Sequence, residues 1–189
     1  LYLSTTRDCL LAIDFLTKQL LWAMKGVGGR IWVRNGMILS GPNAAGQFVC
    51  LLPTPELRWT HPGDIAAVSG SMAYITRDQR IIGFALKSGI AMYDFSAAER
   101  ISALRYDPCQ GIVTAGTMGG DVVLLNQDLT GSVVVPTGLK ERIIDLRSFH
   151  YRKRAMVAAI SEHHISVTDA NGIRWSASFG SRVPLQALV

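Results

Sequence analysis

The chain has 189 residues, about the length of one domain, and 49% of them are hydrophobic while only 17% are charged. This composition is globular and excludes a disordered chain, and no apolar run reaches the roughly 20 residues that a membrane-spanning helix needs. The formal net charge of +5 favours acidic partners without specifying nucleic acid, because the arginines are scattered along the chain.

Cys9, Cys50 and Cys109 are an odd number of cysteines and lie far apart. Such spacing predicts neither a disulfide framework nor a metal site. We therefore expect small buried hydrophobic residues in a reducing compartment, and hence an intracellular protein, cytoplasmic or nuclear. No leader segment with a cleavage site is visible in the sequence.

The first 25 residues predict three short antiparallel strands joined by tight polar links. The strands are expected at 1–5, 10–15 and 19–24, with links at 6–8 and 16–18. The rest of the chain consists of variations on this unit, which indicates a repeat architecture.

Two markers define the repeat. The first closes each unit and falls at Trp22, Trp59, Tyr93, Val134 and Trp175, at spacings of 37, 34, 41 and 41 residues. The second opens a unit: the segment ERISALR at 99–105 recurs as ERIIDLR at 141–147, with five of seven positions identical. Weaker relatives of this opening segment lie at 30–33, 64–68 and 182–188.

Between the markers the pattern is that of strands and hairpin turns. Glycine stands in the turns at 87–89, 118–120, 129–131 and 170–172, where positive φ is needed. The loop at 40–46 is longer, and we interpret it as a surface insertion and a possible partner site. No segment offers ten residues with helical periodicity free of Gly or Pro.

Four strands about every 38 residues, without crossover helices, predict a β-propeller of about five four-stranded antiparallel blades. The whole chain, 1–189, is expected to form one domain, with blades at 1–26 completed by 182–189, and at 27–62, 63–97, 98–138 and 139–181. The alternative is a segment of a larger propeller of seven or eight blades. In either case Ile101, Ile143 and Val183 are expected on the strands nearest the central axis.

The first unit resembles the repeat of quinoprotein-dehydrogenase-type propellers, also called PQQ-like repeats. Its Tyr2 strand precedes an Ala12-Ile13-Asp14 strand and a Leu21-Trp22 strand, as in that repeat. The resemblance implies the fold and not the activity, because the chain has no adjacent cysteine pair and no acidic calcium loop. The blades are also similar to WD40 blades, although the Trp-Asp and Gly-His signatures are absent.

No catalytic, cofactor or metal site is predicted. His163 and His164 are adjacent, and adjacent residues of a strand face opposite ways, so they do not chelate one metal readily. Serine, histidine and aspartate are present without a nucleophile-elbow signature, and no phosphate-binding loop follows Gly120.

The best candidate for binding a partner is the basic cluster Tyr151, Arg152, Lys153 and Arg154, which is expected at a hairpin loop. Its cations and aromatic ring could contact RNA phosphates and bases. Trp22, Trp59 and Trp175 share one phase of the repeat and are assigned to packing between blades.

We therefore expect a non-catalytic β-propeller scaffold that mediates protein–protein interactions within a larger complex. One alternative is an RNA- or ribosome-associated subunit that uses the basic loop. A second alternative is a degenerate quinoprotein-like enzyme.

Overall fold

The computed structural model describes residues 1–6, 8–152, 154–169 and 171–179, and this part of the chain contains 19 strands and no helix. The strands are β1 (Tyr2–Thr5), β2 (Cys9–Ile13), β3 (Leu20–Lys25), β4 (Arg30–Arg34), β5 (Met37–Gly41), β6 (Gln47–Leu51), β7 (Leu57–Pro62), β8 (Ile65–Val68), β9 (Met72–Arg77), β10 (Arg80–Ala85), β11 (Ala91–Ser96), β12 (Ile101–Asp107), β13 (Ile112–Thr117), β14 (Val122–Asn126), β15 (Val133–Val135), β16 (Asp145–Tyr151), β17 (Arg154–Ile160), β18 (His164–Asp169) and β19 (Gly172–Ser178).

These strands form five antiparallel sheets in chain order, and each sheet pairs its strands in sequence. Sheet 1 contains β1 to β3, and sheets 2 to 5 contain four strands each: β4–β7, β8–β11, β12–β15 and β16–β19. The all-β prediction is confirmed. Sheets 2 to 5 lie inside the predicted intervals 27–62, 63–97, 98–138 and 139–181. The predicted completing strand at 182–189 lies outside the described residues.

The chain divides into two compact units: residues 1–77 with 82–93 form the first, and 78–81 with the residues from 94 onward form the second. In the first unit, sheet 2 is buried on both faces. Ile38 of β5 packs in a cluster with Leu10 of sheet 1, while its neighbours Met37 and Leu39 pack in a cluster with Ile75 of sheet 3. Because successive side chains of a strand point to opposite faces, a strand covered on both sides is buried at every position, as β5 is, and its one polar side chain, Ser40, donates to the Gly28 carbonyl.

In the second unit the core lies between sheets 4 and 5. Val122 of sheet 4 packs in one cluster with Leu146, Val157 and Ala159 of sheet 5. Leu146 and Ala159 are register partners across β16 and β17, so they project from one face of sheet 5. The opposite face of that sheet therefore carries the alternate residues, including Phe149.

Two expectations about single residues need correction. Ile143 does not lie on a strand: it is fully buried in the segment before β16, because the loop after β15 folds into the core of the second unit. Cys109 is exposed because it lies in the turn after β12, whereas Cys9 is half-buried and Cys50 is buried. Ile101 opens β12 and is buried, and Val183 lies outside the described residues.

None of the residues placed by the structure belongs to a helix that is long and apolar enough to cross a membrane.

Candidate functional site

The predicted basic cluster lies at the hairpin between β16 and β17. Tyr151 ends β16 and pairs in register with Arg154, the first residue of β17, so Arg152 occupies the turn, with a left-handed φ of 48°. The Arg152 guanidinium carbon lies 5.2 Å from the centroid of the Tyr151 ring, within the range of a cation–π contact. Tyr151 is 56% exposed. Lys153 lies outside the described residues, so the structure brings together three of the four predicted side chains.

A buried carboxylate lies on the strand next to β17. Asp169, the last residue of β18, accepts hydrogen bonds from the Arg174 Nε at 2.7 Å and the Asn171 backbone N–H at 2.9 Å. The Arg174 hydrogen bond is the main cause that lowers the pKa of Asp169, and the positive charge of Arg154 lowers it further. Asp169 and Asp107 line a cavity of about 110 Å³ between sheets 4 and 5. Both carboxylates already bind neighbouring groups of their own turns, so the cavity offers no open ligand set.

The three tryptophans of the repeat share a local backbone feature but not an environment. Each follows a β-bulge in the last strand of its sheet, where the register shifts against the preceding strand. Trp59 is 8% exposed and donates from Nε1 to the Leu86 carbonyl at 2.8 Å. Trp22 is half-buried and donates in the same way to the Pro53 carbonyl at 2.9 Å.

Trp175 does not have the buried packing position expected from its phase, because it is 53% exposed. The physical reason lies in the order of the sheets. Trp22 and Trp59 each donate to a loop of the next sheet along the chain, and the described residues contain no sheet after sheet 5. Inter-sheet packing is therefore visible for Trp22 and Trp59 and absent for Trp175 among the described residues.

The two opening segments found in the sequence place an arginine–aspartate cluster between sheets 4 and 5. Arg105 of β12 donates from Nε and Nη2 to the Asp145 Oδ1 of β16 at 3.1 and 2.6 Å, and Arg147 Nη2 lies 3.1 Å from the Asp145 Oδ2. Burial raises the pKa of Asp145, but the Arg105 hydrogen bond, the Leu146 backbone N–H and the two positive charges outweigh it and hold that pKa below its ordinary value.

The glutamates of the same two segments bind the turn between the second and third strands of their sheets. The Glu99 Oε2 accepts the Gly119 backbone N–H at 2.8 Å. The Glu141 Oε1 accepts the Ser161 hydroxyl and the His164 Nδ1–H, each at 2.5 Å. The Ser161 hydroxyl is the main cause that lowers the pKa of Glu141, and His164 is the next.

The Glu141 cluster combines serine, histidine and a carboxylate, but not in the order that nucleophilic catalysis needs. The hydroxyl of Ser161 and the imidazole of His164 both donate to the same carboxylate oxygen. A catalytic serine would instead donate to the free nitrogen of the histidine. These hydrogen bonds hold the turn between β17 and β18 in sheet 5, and they do not activate the Ser161 hydroxyl as a nucleophile.

Large apolar side chains are exposed on the last strand of every sheet or in the turn that enters it. They are Leu20 and Leu21 in sheet 1, Leu57 in sheet 2, Ile90 and Met92 in sheet 3, Val133 and Val134 in sheet 4, and Ile173 and Trp175 in sheet 5. Each of these strands also lies at the edge of its sheet. Sequence reasoning found the strands and missed this feature, since an apolar residue in a strand is ordinarily assigned to a core.

Metal ligation finds no support in the geometry. No group of three or more His, Cys, Asp and Glu side chains comes close enough to hold an ion within the portion of the chain that the structure describes. Burial raises the pKa of the Cys50 thiol to about 12, which makes it a weak ligand.

No known sequence family and no curated protein sequence matches this chain. Solved structures, in contrast, are similar to this chain. Sqt1 of Saccharomyces cerevisiae superimposes with a TM-score of 0.68 at 12% identity, over 85% of this chain and 52% of that chain. A chain in the mitotic checkpoint complex superimposes with a TM-score of 0.71 at 14% identity, over 92% of this chain and 59% of that chain.

These similarities show the fold, which is a WD40-like β-propeller. The chain spans little more than half the length of the two chains it matches. The propeller prediction is thereby confirmed, and the quinoprotein type is not shown.

Proposed function

We propose that this protein is a non-catalytic β-propeller that acts as a protein-interaction scaffold within a larger complex. The observation that carries the proposal is the recurrence of exposed apolar side chains at the outer edge of all five sheets. Leu57, Ile90 and Met92 are 56%, 62% and 54% exposed. Large apolar residues that recur at an edge strand are costly to expose to water and mark binding surfaces.

The backbone of these edge strands adds a second element of recognition. β7 and β11 end the strand order of their sheets, so an extended segment of a partner could hydrogen-bond along them. One of the similar structures is that of an assembly, the mitotic checkpoint complex.

The test is affinity capture with chemical crosslinking, comparing the natural protein with the double variant Leu57→Glu and Met92→Glu. Both side chains are exposed, so the variant should fold, which a matched thermal midpoint would verify. We expect crosslinks at β7 and β11 to be lost together with the partner proteins. The control variant Gln79→Glu adds negative charge at an exposed position in the turn between β9 and β10, outside the last strands, and should retain the partners. Equal capture by all three proteins would contradict the proposal.

A second candidate function is RNA association through the basic hairpin. The specific observation is the exposed Tyr151 ring with the Arg152 guanidinium over its face, beside Arg154. Neither Arg152 nor Arg154 forms an ion pair with the residues that the structure places. An exposed ring beside two arginines suits a base and its phosphate.

Charge reversal separates this function from the first. The double variant Arg152→Glu and Arg154→Glu should weaken binding of a labelled single-stranded RNA and lower the slope of log affinity against log salt by about 1.4, since each phosphate contact contributes about 0.7. Arg58→Glu is the matched control at an exposed arginine elsewhere. Binding that is absent, or equal in both variants, would rule out the hairpin as an RNA site.

A further inference from the structure

A groove of about 280 Å³ opens on sheet 4 beside residues 95–99, which comprise the end of β11 and the turn that follows it. Asp121, Val123 and Val134 line it from the sheet, and Phe95 and Glu99 line it from the segment. Val122 and Val135 belong to the core with sheet 5. Because side chains alternate along a strand, the groove occupies the other face of sheet 4, which sheet 5 leaves uncovered.

The floor of the groove is apolar. Val123 and Val134 are register partners across β14 and β15, so their side chains lie together on this face. Val123 is buried, while Val134 is 58% exposed at the edge of the sheet. Phe95 is half-buried on the opposite wall. An apolar side chain of a ligand would cover Val134 and the wall without displacing a hydrogen bond.

The rim of the groove is acidic. Glu99 and Asp121 both line it, and none of its lining residues is a lysine, arginine or histidine. The Glu99 carboxylate is held by the neutral backbone N–H of Gly119. In the region resolved by the structure, neither Glu99 nor Asp121 has a basic side chain within ion-pair distance. Two uncompensated carboxylates beside an apolar floor favour a cation that arrives with the ligand.

A repeat-related groove on sheet 5 provides an internal comparison. It has a volume of about 330 Å³ and is lined by Leu139, Ile173 and His164. Glu141 stands 42 residues after Glu99, in the same place of the repeat, but its carboxylate already holds His164 and Ser161. His164, the first residue of β18, stands where sheet 4 has Asp121, the residue before β14: the backbone carbonyl of each accepts from the residue that closes the turn, Ser161 N–H and Thr117 N–H respectively. The Glu141 carboxylate at the sheet 5 groove is therefore bound by side chains of its own sheet. The carboxylates of the sheet 4 groove have no such side-chain partners among the described residues.

The geometry of the edge indicates that the ligand is a peptide. β15 has only three residues and ends the strand order of sheet 4, so the backbone on its outer side is unpaired among the described strands. The N–H and C=O groups of an extended peptide can form hydrogen bonds with the backbone of such an edge strand, while its side chains enter the adjoining groove.

We propose that the sheet 4 groove binds an extended peptide segment in which an apolar residue is followed by lysine or arginine. The apolar side chain covers Val123 and Val134, and the cation lies between the carboxylates of Glu99 and Asp121. This inference rests on the proposed function as a protein-interaction scaffold and specifies the chemistry of one partner.

The test uses fluorescein-labelled eight-residue peptides with Ser and Thr flanks, centred on Leu-Arg, Leu-Glu or Ser-Arg, and measures anisotropy on the full chain. We expect the Leu-Arg peptide to bind at least about ten-fold more tightly than either of the other two, and to weaken at high salt, because the contact pairs opposite charges. Equal binding of the three peptides, or no binding, would overturn the proposal. Equally tight binding of the capped dipeptide Leu-Arg would also overturn it, because the site would then recognise a small ligand.

Three variants locate the site. Glu99→Gln with Asp121→Asn should remove the preference for Arg over Glu, and Gln can still accept the Gly119 N–H. Val134→Ser, at an exposed position, should remove the preference for Leu over Ser without a loss of stability. Glu141→Gln alters the sheet 5 groove and should leave all affinities unchanged. If that control abolished the preference as well, sheet 4 would not be the site. Partner capture through β7 and β11 is measured separately, so either proposal can fail alone.

Discussion

A single tryptophan shows how this chain joins one sheet to the next. The Trp59 ring packs against Phe84 with ring centroids 6.3 Å apart, and its indole N–H binds the Leu86 carbonyl. Gly89 approaches the ring so closely that a Cβ at that position would lie 2.5 Å from the Trp59 Cγ. Gly89 also has a φ of +71°, so glycine is required there both for space and for backbone conformation.

Trp59→Ala should lower the free energy of unfolding by about 3–5 kcal/mol, the usual loss for a buried aromatic side chain. Trp175→Ala provides the matched control, since the residue has the same place in the repeat and is 53% exposed; its loss should stay below about 1 kcal/mol. Urea denaturation of both variants checks the prediction. Similar losses would show that Trp175 is covered in solution.

Among the elements, the first strands of sheets 4 and 5 are joined by charge as well as by apolar packing. Asp145 is about a quarter exposed and binds Arg105 across the two sheets, while Arg147 approaches from its own strand. A partly buried carboxylate that accepts several charged hydrogen bonds stabilises the fold more than a surface pair does. Arg80 and Asp94 form such a surface pair at the outer edge of sheet 3.

Asp145→Asn should therefore cost about 1.5 kcal/mol at pH 7, since hydrogen bonds to charged groups fall in that range. The folded pKa of Asp145 is lowered, so its contribution is complete above the ordinary value of 3.8 and is lost as the pH falls through the lower folded value. The difference in free energy of unfolding between the natural protein and the variant should therefore become smaller in acid, as measured by chemical denaturation from pH 7 to pH 3. Asp94→Asn should cost about 0.5 kcal/mol or less at pH 7. A difference in free energy of unfolding between the natural protein and Asp145→Asn that does not change with pH would contradict the prediction that ionised Asp145 stabilises the fold.

At the scale of the whole molecule, five antiparallel sheets follow one another in sequence and give a WD40-like β-propeller. Sheet 1 has three strands, and the sequence expectation is that 182–189 supplies its fourth. That expectation stays a prediction, because these residues lie outside the described part of the chain.

A variant that ends after residue 179 tests whether 182–189 supplies the fourth strand of sheet 1. If 182–189 pairs with sheet 1, its removal deletes several Val and Leu side chains whose burial would contribute about 1.5–3 kcal/mol each, so the free energy of unfolding should fall by at least about 3 kcal/mol. Hydrogen exchange should then increase in β1, the strand that the segment would pair with. An unchanged stability, with unchanged exchange in β1, would exclude this completion.

Much of the architecture could be predicted from spacing because strand repeats leave local traces. The predicted strand at 1–5 lies within one residue of β1 (Tyr2–Thr5), and ERIIDLR at 141–147 marks the entry to sheet 5. Hairpins join neighbours in sequence, so alternation and turn chemistry suffice to place them. The basic hairpin at Arg152 was found for the same reason.

The candidate groove could not be found in this way. Glu99 and Glu141 occupy one place in a nearly identical motif, yet one binds a backbone N–H and the other binds His164 and Ser161. Local spacing determines which residues form a strand and in what order the sheets follow. Whether a carboxylate has a side-chain partner, and whether a tryptophan is buried, depends on residues many positions away in the sequence. Only the folded chain brings those residues together.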